Sequence, residues 1–385
     1  MYARKLKLLQ HSGLLLGPRQ TGKTTFIKAQ LTQYKVFMVD LLIPDVFYRY
    51  SSHPQYLLDD IQSQIKHQGV THCFIDEIQK LPGLLDVVHH LVETKACTFL
   101  LTGSSARKLK RKGTNLLGGR ALQYFLFPLI YNEFKADFVL ADVLQFGSLP
   151  ALVKAPQELV IKTLQTYVQT YLKEEIKEEG LVRNLGAFQR FLEVAASQSG
   201  DLLSYQNVAQ ACQVAAKTVT GFYEILEDTL LGFRLEPWRK SLKKRMVAHP
   251  KFYLFDTGVT NALNGRLTQA IDPKTKGRLF EQLMILESYR LLHYLGSEAK
   301  LYYWRTSNGS EVDLLIEKHG RFIAAVEFKA NASTSARDCS GLWAFLSEYP
   351  ETPAFLVCDA PYINDQDRIV IWPWRVFLEN LETLL

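Results

Sequence analysis

The sequence predicts an α/β protein that begins with a parallel, doubly wound sheet and ends with a smaller mixed α/β domain. Apolar runs at residues 14–16, 35–41, 72–75 and 97–101 have the length of buried strands. Segments of helix length separate these runs, and strands joined in this way lie parallel with their carboxyl ends at one edge. Residues from 131 onward first show the periodicity of helices and later a mixture of helix and strand patterns.

The first apolar run leads directly into a phosphate-binding loop. The pattern G-x-x-x-x-G-K-[ST] begins at Gly17 and ends at Thr24, and a glycine-rich structural turn is the alternative. In a phosphate-binding loop, backbone N–H groups surround the phosphates, Lys23 reaches the β- and γ-phosphates, and the Thr24 hydroxyl binds Mg²⁺. A helix predicted at 24–34 directs its positive N-terminus at the same anion. The loop residues expected to contact ATP are Gly17, Pro18, Arg19, Gln20, Thr21, Gly22, Lys23, Thr24 and Thr25.

Acidic and polar residues at the ends of two later strands extend this predicted site. The run at 72–75 ends in Asp76 and Glu77. After a phosphate-binding loop, this pattern predicts that Asp76 holds Mg²⁺ through water and that Glu77 orients the attacking water. An exposed acidic turn is the alternative. At the end of the next strand, either Thr102 or Ser104 can sense the γ-phosphate, and Ser104 is included among the residues that contact ATP.

A strongly basic stretch follows. Residues 107–120 contain six Lys or Arg and no acidic residue. A solvated helix face, a phosphate-contacting surface for nucleic acid, and an arginine finger for the ATP site of a neighbouring subunit are all compatible with it. Guanidinium is planar, permanently charged and bidentate, which suits a γ-phosphate in the transition state. Arg120 is the favoured finger and Arg107 the alternative.

The composition indicates a globular chain of 385 residues, long enough for two to four domains. No apolar run reaches the roughly 18–20 residues that span a bilayer. The basic, leucine-rich N-terminus resembles a weak secretory signal, but cleavage there would destroy the phosphate-binding loop. Five scattered cysteines without a C-x-x-C pair are expected to be buried thiols. We therefore expect a cytoplasmic protein without a membrane anchor.

The order of the motifs resembles that of the prokaryotic AAA-type ATPases of the AAA+ superfamily that carry a C-terminal domain of unknown function with a restriction-endonuclease-like core. The segments that carry the resemblance are GPRQTGKTT, FIDEIQ, LLTGSSA, LLGGRALQYFLFPLIYNEF, GSLP and YVQTYLKEEI. Members of the family usually have Asp near the end of the last segment, where this chain has Glu174 and Glu175. The resemblance places the ATPase domain at residues 1–130. It implies ATP hydrolysis with Mg²⁺, ring-type homo-oligomers, expected to be hexamers, and an association with DNA.

Residues 131–190 are predicted to form a helical lid or connector, and residues 191–265 a winged-helix-like domain. Ser204 is a suitable N-cap for a first short helix. A second helix at 217–231 and strands at 233–238 and 252–255 then resemble a winged helix-turn-helix.

Residues 232–251 contain seven Lys or Arg and one acidic residue, which suits contacts with phosphates. Acidic residues on the second helix argue against sequence-specific recognition, and a winged helix that packs only against protein is the alternative. The residues predicted to contact DNA are Lys217, Arg239, Lys240, Lys243, Lys244 and Arg245.

Residues 266–385 carry a pattern that resembles the PD-(D/E)xK nucleases. Asp313 lies in a predicted strand, and Glu327 and Lys329, two residues apart on another strand, share one face. If the strands are neighbours, Asp313 and Glu327 can hold Mg²⁺ with a backbone carbonyl, and Glu281 from the preceding helix can complete the shell. Lys329 would then position or deprotonate a water. A DNA-binding or assembly module without nuclease activity is the alternative.

Three functions are compatible with the sequence. ATP-driven DNA binding, remodelling or translocation is favoured because of the basic residues after 232. An ATP-gated, Mg²⁺-dependent DNA nuclease and a nucleotide-switched protein scaffold without DNA activity are the alternatives.

Overall fold

The computed structural model describes residues 2–105, 121–171, 184–239 and 249–385. The chain divides into two compact units. The N-terminal unit consists of Leu6–Phe127 and Asp228–Leu231, and the C-terminal unit of Met1–Lys5, Pro128–Glu227 and Gly232–Leu385. Across the described ranges, no helix combines the length and apolarity needed to cross a membrane. The five cysteines are free thiols, and four of them are buried, as the sequence predicts.

The N-terminal unit is built on a five-stranded parallel sheet, which confirms the predicted arrangement. The strand order is β2-β3-β4-β1-β5. The apolar residues of β1 are buried because helices cover the sheet, and they join one core with the inner faces of those helices. The fifth strand was not predicted from the sequence. The strands are β1 (Gly13–Leu16), β2 (Val36–Asp40), β3 (His72–Asp76), β4 (Thr98–Gly103) and β5 (Leu122–Phe125).

Within the part of this unit that the structure describes, four α-helices connect or flank these strands. The first helix is shorter than the predicted helix at 24–34. It ends because the amide of Leu31 donates to the carbonyl oxygens of both Ile27 and Lys28, and the chain then enters a turn. The helices are α1 (Lys23–Gln30), α2 (Pro44–Ser52), α3 (Gln55–Gln68) and α4 (Leu84–Glu93).

The C-terminal unit contains an eight-stranded mixed sheet with the order β12-β13-β11-β10-β9-β8-β6-β7. The hairpin of β6 and β7 matches the two strands predicted for the winged helix. However, β6 also pairs in parallel with β8, so one sheet crosses the domain boundary that was predicted at residue 265. The strands are β6 (Gly232–Pro237), β7 (Lys251–Leu254), β8 (Lys300–Arg305), β9 (Glu311–Lys318), β10 (Arg321–Phe328), β11 (Ala354–Cys358), β12 (Asn364–Gln366) and β13 (Ile369–Pro373).

Ten α-helices of the C-terminal unit lie within the described ranges. Ser204 caps α9 through its hydroxyl, as predicted. Helix α12 begins four residues before the predicted start, because Asp272 caps it and Pro273 occupies its first turn. The helices are α5 (Tyr131–Phe134), α6 (Leu140–Phe146), α7 (Gln157–Thr166), α8 (Leu185–Ser197), α9 (Tyr205–Cys212), α10 (Ala216–Asp228), α11 (Thr257–Leu263), α12 (Pro273–Leu295), α13 (Ser340–Glu348) and α14 (Trp374–Leu384).

Buried polar side chains connect α12 to the segments around it. Arg290 of α12 donates hydrogen bonds to the carbonyl oxygens of Leu129 (3.0 Å) and Phe255 (2.6 Å) and to the hydroxyl of Ser148 (3.0 Å). Asp256, fully buried, accepts a hydrogen bond from the amide of Ser148 at 2.9 Å and caps α11. The GSLP segment at 147–150 therefore has a structural role in this unit.

Candidate functional site

The phosphate-binding loop lies between β1 and α1, as predicted. Gly22 immediately precedes α1 with φ of 88°, and a Cβ at Gly17 would lie 2.2 Å from the carbonyl oxygen of Leu126. Glycine is therefore required at Gly17 by the close approach of the backbone. The ammonium of Lys23 donates hydrogen bonds to the carbonyl oxygens of Gly17 (2.8 Å) and Pro18 (3.0 Å). A cavity of ≈ 210 Å³ at this loop is lined by Arg19, Gln20, Gly22, Lys23, Thr24, Thr25 and Glu77.

Asp76 receives two hydroxyl groups in the arrangement expected of a Mg²⁺ site. The hydroxyl of Thr24 donates to Asp76 Oδ2 at 2.8 Å, and the hydroxyl of Thr102 donates to Asp76 Oδ1. Burial raises the pKa of Asp76, and the two hydroxyl donors partly oppose this shift. Hydroxyl and carboxylate oxygens are ligands that Mg²⁺ prefers, so Thr24 and Asp76 have suitable chemistry, and their role as Mg²⁺ ligands stays a prediction.

Glu77 is oriented by Gln79, a residue whose role was missed in the sequence. Glu77 follows β3 with φ of 58°, and its amide donates to Thr102 Oγ1 at 3.2 Å. The amide nitrogen of Gln79 donates to the Glu77 carboxylate and, at 3.1 Å, to the Ser104 hydroxyl. Gln79 is 3% exposed and lies in a 3₁₀ turn (Ile78–Lys80) beside a buried Ile78. A buried polar residue two positions after the acidic pair was the signal that could have identified it.

Both candidates for the γ-phosphate sensor lie beside the acidic pair. Thr102 lies near the end of β4 and contacts Asp76 and Glu77. Ser104 follows β4 and contacts Gln79. Which of them contacts the γ-phosphate stays a prediction. Arg107 and Arg120, the two candidates for the arginine finger, lie outside the described residues.

The basic stretch at 232–251 includes residues with different environments. Arg234 pairs with Glu227 at 2.9 Å, and Lys251 is buried among carboxylates. These two charges already have protein partners. Among the residues predicted to contact DNA, Lys217 is exposed near the start of α10, and Arg239 follows β6. The other four, Lys240, Lys243, Lys244 and Arg245, lie outside the described residues.

The acidic and basic residues predicted for the C-terminal site do come together. Strands β9 and β10 are antiparallel neighbours with Val326 opposite Leu314, so Asp313 and Glu327 are the next residues along the two strands. The Lys329 ammonium lies 2.6 Å from Glu327 Oε1, and Asp313 Oδ2 accepts a hydrogen bond from the amide of Phe328 at 2.9 Å. Burial raises the pKa of Asp313 to about 7 and that of Glu327 well above its ordinary value.

The arrangement nevertheless differs from the predicted Mg²⁺ shell, because Lys251 lies among the carboxylates. Glu281 accepts hydrogen bonds from Lys251 (2.8 Å) and from the Tyr253 hydroxyl (2.6 Å). Burial alone would lower the pKa of Lys251, but the surrounding carboxylates raise it well above its ordinary value. Over the ranges that the structure describes, no three His, Cys, Asp or Glu side chains are placed to hold a metal ion. Glu281, Asp313 and Glu327 therefore do not fit the Mg²⁺ role predicted for them. The prediction that Lys329 positions or deprotonates a water beside that ion is then not supported either.

Comparison with known proteins shows three consecutive matches. Residues 10–135 match the family model described as an AAA domain, residues 138–270 a domain of unknown function (DUF8612), and residues 276–377 another domain of unknown function (DUF4143).

Similar proteins are found in bacteria and archaea. An uncharacterized protein of Mycobacterium tuberculosis is 28% identical over 313 residues, which cover 80% of this chain and 68% of that protein. An uncharacterized protein of Methanocaldococcus jannaschii is 23% identical over 353 residues, covering 84% and 76%. A match to the structure of a signal-transduction ATPase of the STAND class from Pyrococcus horikoshii covers 73% of this chain and 43% of that chain, at 12% identity. The TM-score of this match, 0.22, is too low to indicate a common fold.

The motif geometry and the first family match agree. The loop at 17–25, the Thr24–Asp76 contact and Glu77 all lie in the parallel-sheet unit that the AAA model covers. The match to an AAA domain is evidence for nucleotide hydrolysis. The N-terminal unit of this chain is therefore similar to AAA domains over residues 10–135, and this similarity supports an AAA-type ATPase.

Proposed function

We propose that this protein hydrolyses ATP in its N-terminal unit and that hydrolysis drives an action on DNA. The observation that carries the proposal is that Lys23, Thr24 and Glu77 line one cavity and that Thr24 donates a hydrogen bond to Asp76. Each of these side chains has the chemistry that phosphoryl transfer to water requires at that position. Positioning and electrostatic stabilisation, rather than covalent catalysis, supply most of the rate in such reactions.

The roles of the protein groups follow from their surroundings. The Lys23 ammonium exchanges the carbonyl oxygens of Gly17 and Pro18 for phosphate oxygens, which carry more negative charge. Thr24 and, through water, Asp76 would hold Mg²⁺, and this ion would neutralise charge on the β- and γ-phosphates. Glu77, oriented through its contact with Gln79, accepts the proton of the attacking water.

Two substitutions separate nucleotide binding from hydrolysis. Lys23→Ala is expected to abolish ATP binding, because it removes the cation that contacts the phosphates. Glu77→Gln is expected to retain binding and to lower kcat about 10²–10⁴-fold, the usual contribution of a general base. Glu93→Gln, an exposed change of the same kind at the end of α4, is the control. Wild-type hydrolysis by Glu77→Gln would exclude Glu77 as the base.

The proposed action on DNA rests on the basic residues after β6. Lys243, Lys244 and Arg245 belong to a stretch in which basic residues far outnumber acidic ones. Binding through phosphate contacts weakens steeply with salt, with log K falling by about 0.9 per contact for each unit of log salt. Changing these three residues to Gln is expected to reduce that slope by as much as about 2.7.

A charge-matched control distinguishes local contacts from overall charge. Lys66, Lys95 and Lys300 are exposed and lie outside the basic stretch. Changing them to Gln removes the same three positive charges and is expected to leave the slope nearly unchanged. Equal effects of the two triple variants, or no DNA binding by the wild type on duplex, single-stranded or branched DNA, would contradict the proposal.

We propose further that the ATPase acts as a ring, with Arg120 contributing to the ATP site of the neighbouring subunit. Lys23→Ala and Arg120→Ala chains should each be inactive alone. When the two are mixed and allowed to assemble, an interface that pairs an intact Lys23 with a neighbour's intact Arg120 should recover hydrolysis. Absence of any recovery in mixed oligomers of confirmed composition would show that Arg120 does not act between subunits.

A further inference from the structure

We propose that Lys251 supplies, from within the chain, the positive charge that Glu281, Glu311 and Asp313 require, and that it thereby excludes a divalent cation from the C-terminal carboxylate cluster. This proposal concerns the C-terminal unit and is independent of ATP hydrolysis in the N-terminal unit. It assigns to Lys251 a role that the basic character of its neighbours in the sequence does not suggest.

The ammonium of Lys251 lies directly among the three carboxylates. Its Nζ atom is 2.5 Å from Glu311 Oε1, 2.8 Å from Glu281 Oε1 and 3.8 Å from Asp313 Oδ1. An ammonium has three N–H donors and no acceptor, so surrounding carboxylates satisfy it well. The side chain is 4% exposed. A charge so deeply buried is stable only with such partners.

The backbone fixes Lys251 in this position. Lys251 is the first residue of β7, where it pairs with Leu235 of β6, and it also forms a bridge with Leu202. The ring of Tyr303 lies 5.6 Å from the ammonium and gives it a further favourable contact. Withdrawal of the ammonium would therefore require rotation of a packed side chain or displacement of the strand.

Several of the other carboxylate oxygens here also face protein groups, although Glu327 Oε2 is buried without a hydrogen-bond partner among the described residues. Arg305 lies 2.7 Å from the second oxygen of Glu311, and Lys329 lies 2.6 Å from Glu327. Asp313 Oδ2 accepts a hydrogen bond from the amide of Phe328. Mg²⁺ demands several oxygen ligands at about 2.0–2.1 Å in a near-octahedral shell. A divalent ion at this place would have to displace Lys251 and would otherwise be repelled by it.

The test measures Mn²⁺ binding to the full chain by electron paramagnetic resonance without nucleotide. In the wild type, Asp313→Asn is expected to leave the Mn²⁺ titration unchanged, because Asp313 binds no ion. Lys251→Met removes the ammonium but retains the length of the side chain. Without the ammonium the carboxylates can close on an ion, so this variant is expected to bind one Mn²⁺ per chain that the wild type does not bind, and Asp313→Asn should abolish that gain.

Stability gives a second readout. All five tryptophans lie in the C-terminal unit, so their fluorescence reports the unfolding of that unit. Lys251→Met should lower its Tm without metal, since it removes the cation nearest to Glu281 and Asp313, and Mn²⁺ should restore the Tm through binding to the folded state. Lys300→Met, a change at an exposed position on β8, should show neither effect.

A charge-balanced variant covers the case in which Lys251→Met does not fold. Lys251→Met with Glu311→Gln removes one charge of each sign and retains Glu281, Asp313 and Glu327. The proposal is overturned if wild-type Mn²⁺ binding is lost on Asp313→Asn, or if neither Lys251 variant gains an ion. If neither variant folds, the comparison of wild type with Asp313→Asn decides the question alone.

Discussion

Replacing Gln79 by leucine is expected to slow ATP hydrolysis by roughly 10–100-fold and to leave ATP affinity nearly unchanged. Leucine has a similar volume but cannot donate to the Glu77 carboxylate. A hydrogen bond to a charged group contributes about 1.5–3 kcal/mol, and each 1.36 kcal/mol of lost transition-state stabilisation lowers a rate tenfold. Gln79 Oε1 is buried without a hydrogen-bond partner among the described residues, so the substitution removes no acceptor contact there.

The assay is steady-state ATPase kinetics combined with a double-substitution cycle. If Gln79 acts by positioning Glu77, kcat should fall while KM stays nearly constant. Gln79→Leu should also have no further effect in a Glu77→Gln background, because the group that it positions is already inactive. Gln62→Leu, an exposed change on α3, controls for the added apolar side chain.

Two results would refute this reasoning. Wild-type kcat in Gln79→Leu would show that the contact with Glu77 has no kinetic role. The same fold loss in wild-type and Glu77→Gln backgrounds would show that Gln79 acts on the fold of the site rather than through Glu77.

Two further predictions concern the C-terminal unit, and the urea midpoint of tryptophan fluorescence tests both. Burial raises the pKa of Glu287 to about 7, so ionisation should cost the folded state about 3 kcal/mol as pH rises from about 4.5 to 7. Glu287→Gln should remove this loss, and an equal difference from wild type at pH 5 and pH 8 would contradict the assignment. A Cβ at Gly147, where φ is 74°, would lie 1.9 Å from Asp256 Oδ1. At Gly265, φ is also positive, but a Cβ would have no atom within 4 Å. Gly147→Ala should therefore destabilise the unit by about 1–3 kcal/mol more than Gly265→Ala. Equal effects of the two alanine substitutions would show that the contact with Asp256 is relieved at little cost.

The N-terminal unit could largely be predicted because its signals are local. Buried parallel strands are continuous apolar runs, and the phosphate-binding loop and the Asp76-Glu77 pair lie at the ends of such runs. The exception is β5. Gln123 interrupts Leu122–Phe125, which lies partly exposed at the edge of the sheet, and the apolar residues continue beyond its end, so the pattern does not single out this strand.

The C-terminal site could be predicted only in part because its decisive contact is between distant segments. Asp313, Glu327 and Lys329 lie on adjacent strands of a hairpin, so their proximity follows from local spacing. Lys251 reaches the same cluster only because β6 pairs with β8. Nothing in the spacing of Lys251 from Asp313 indicates this pairing.

The burial of Lys251 also limits how the basic stretch can contribute to DNA binding. Its seven basic residues are not equivalent, because Lys251 is paired within the carboxylate cluster and Arg234 with Glu227. Neither of these two is among the residues predicted to contact DNA, which are Lys217, Arg239, Lys240, Lys243, Lys244 and Arg245. At about 0.9 per contact, these six residues of one chain give a salt slope no steeper than about 5.4. A steeper slope would require further phosphate contacts. If these lie elsewhere in the chain, the Lys243, Lys244 and Arg245 triple variant would retain most of the slope, and if they come from the same residues of several subunits of a ring, the variant would lose about half of it.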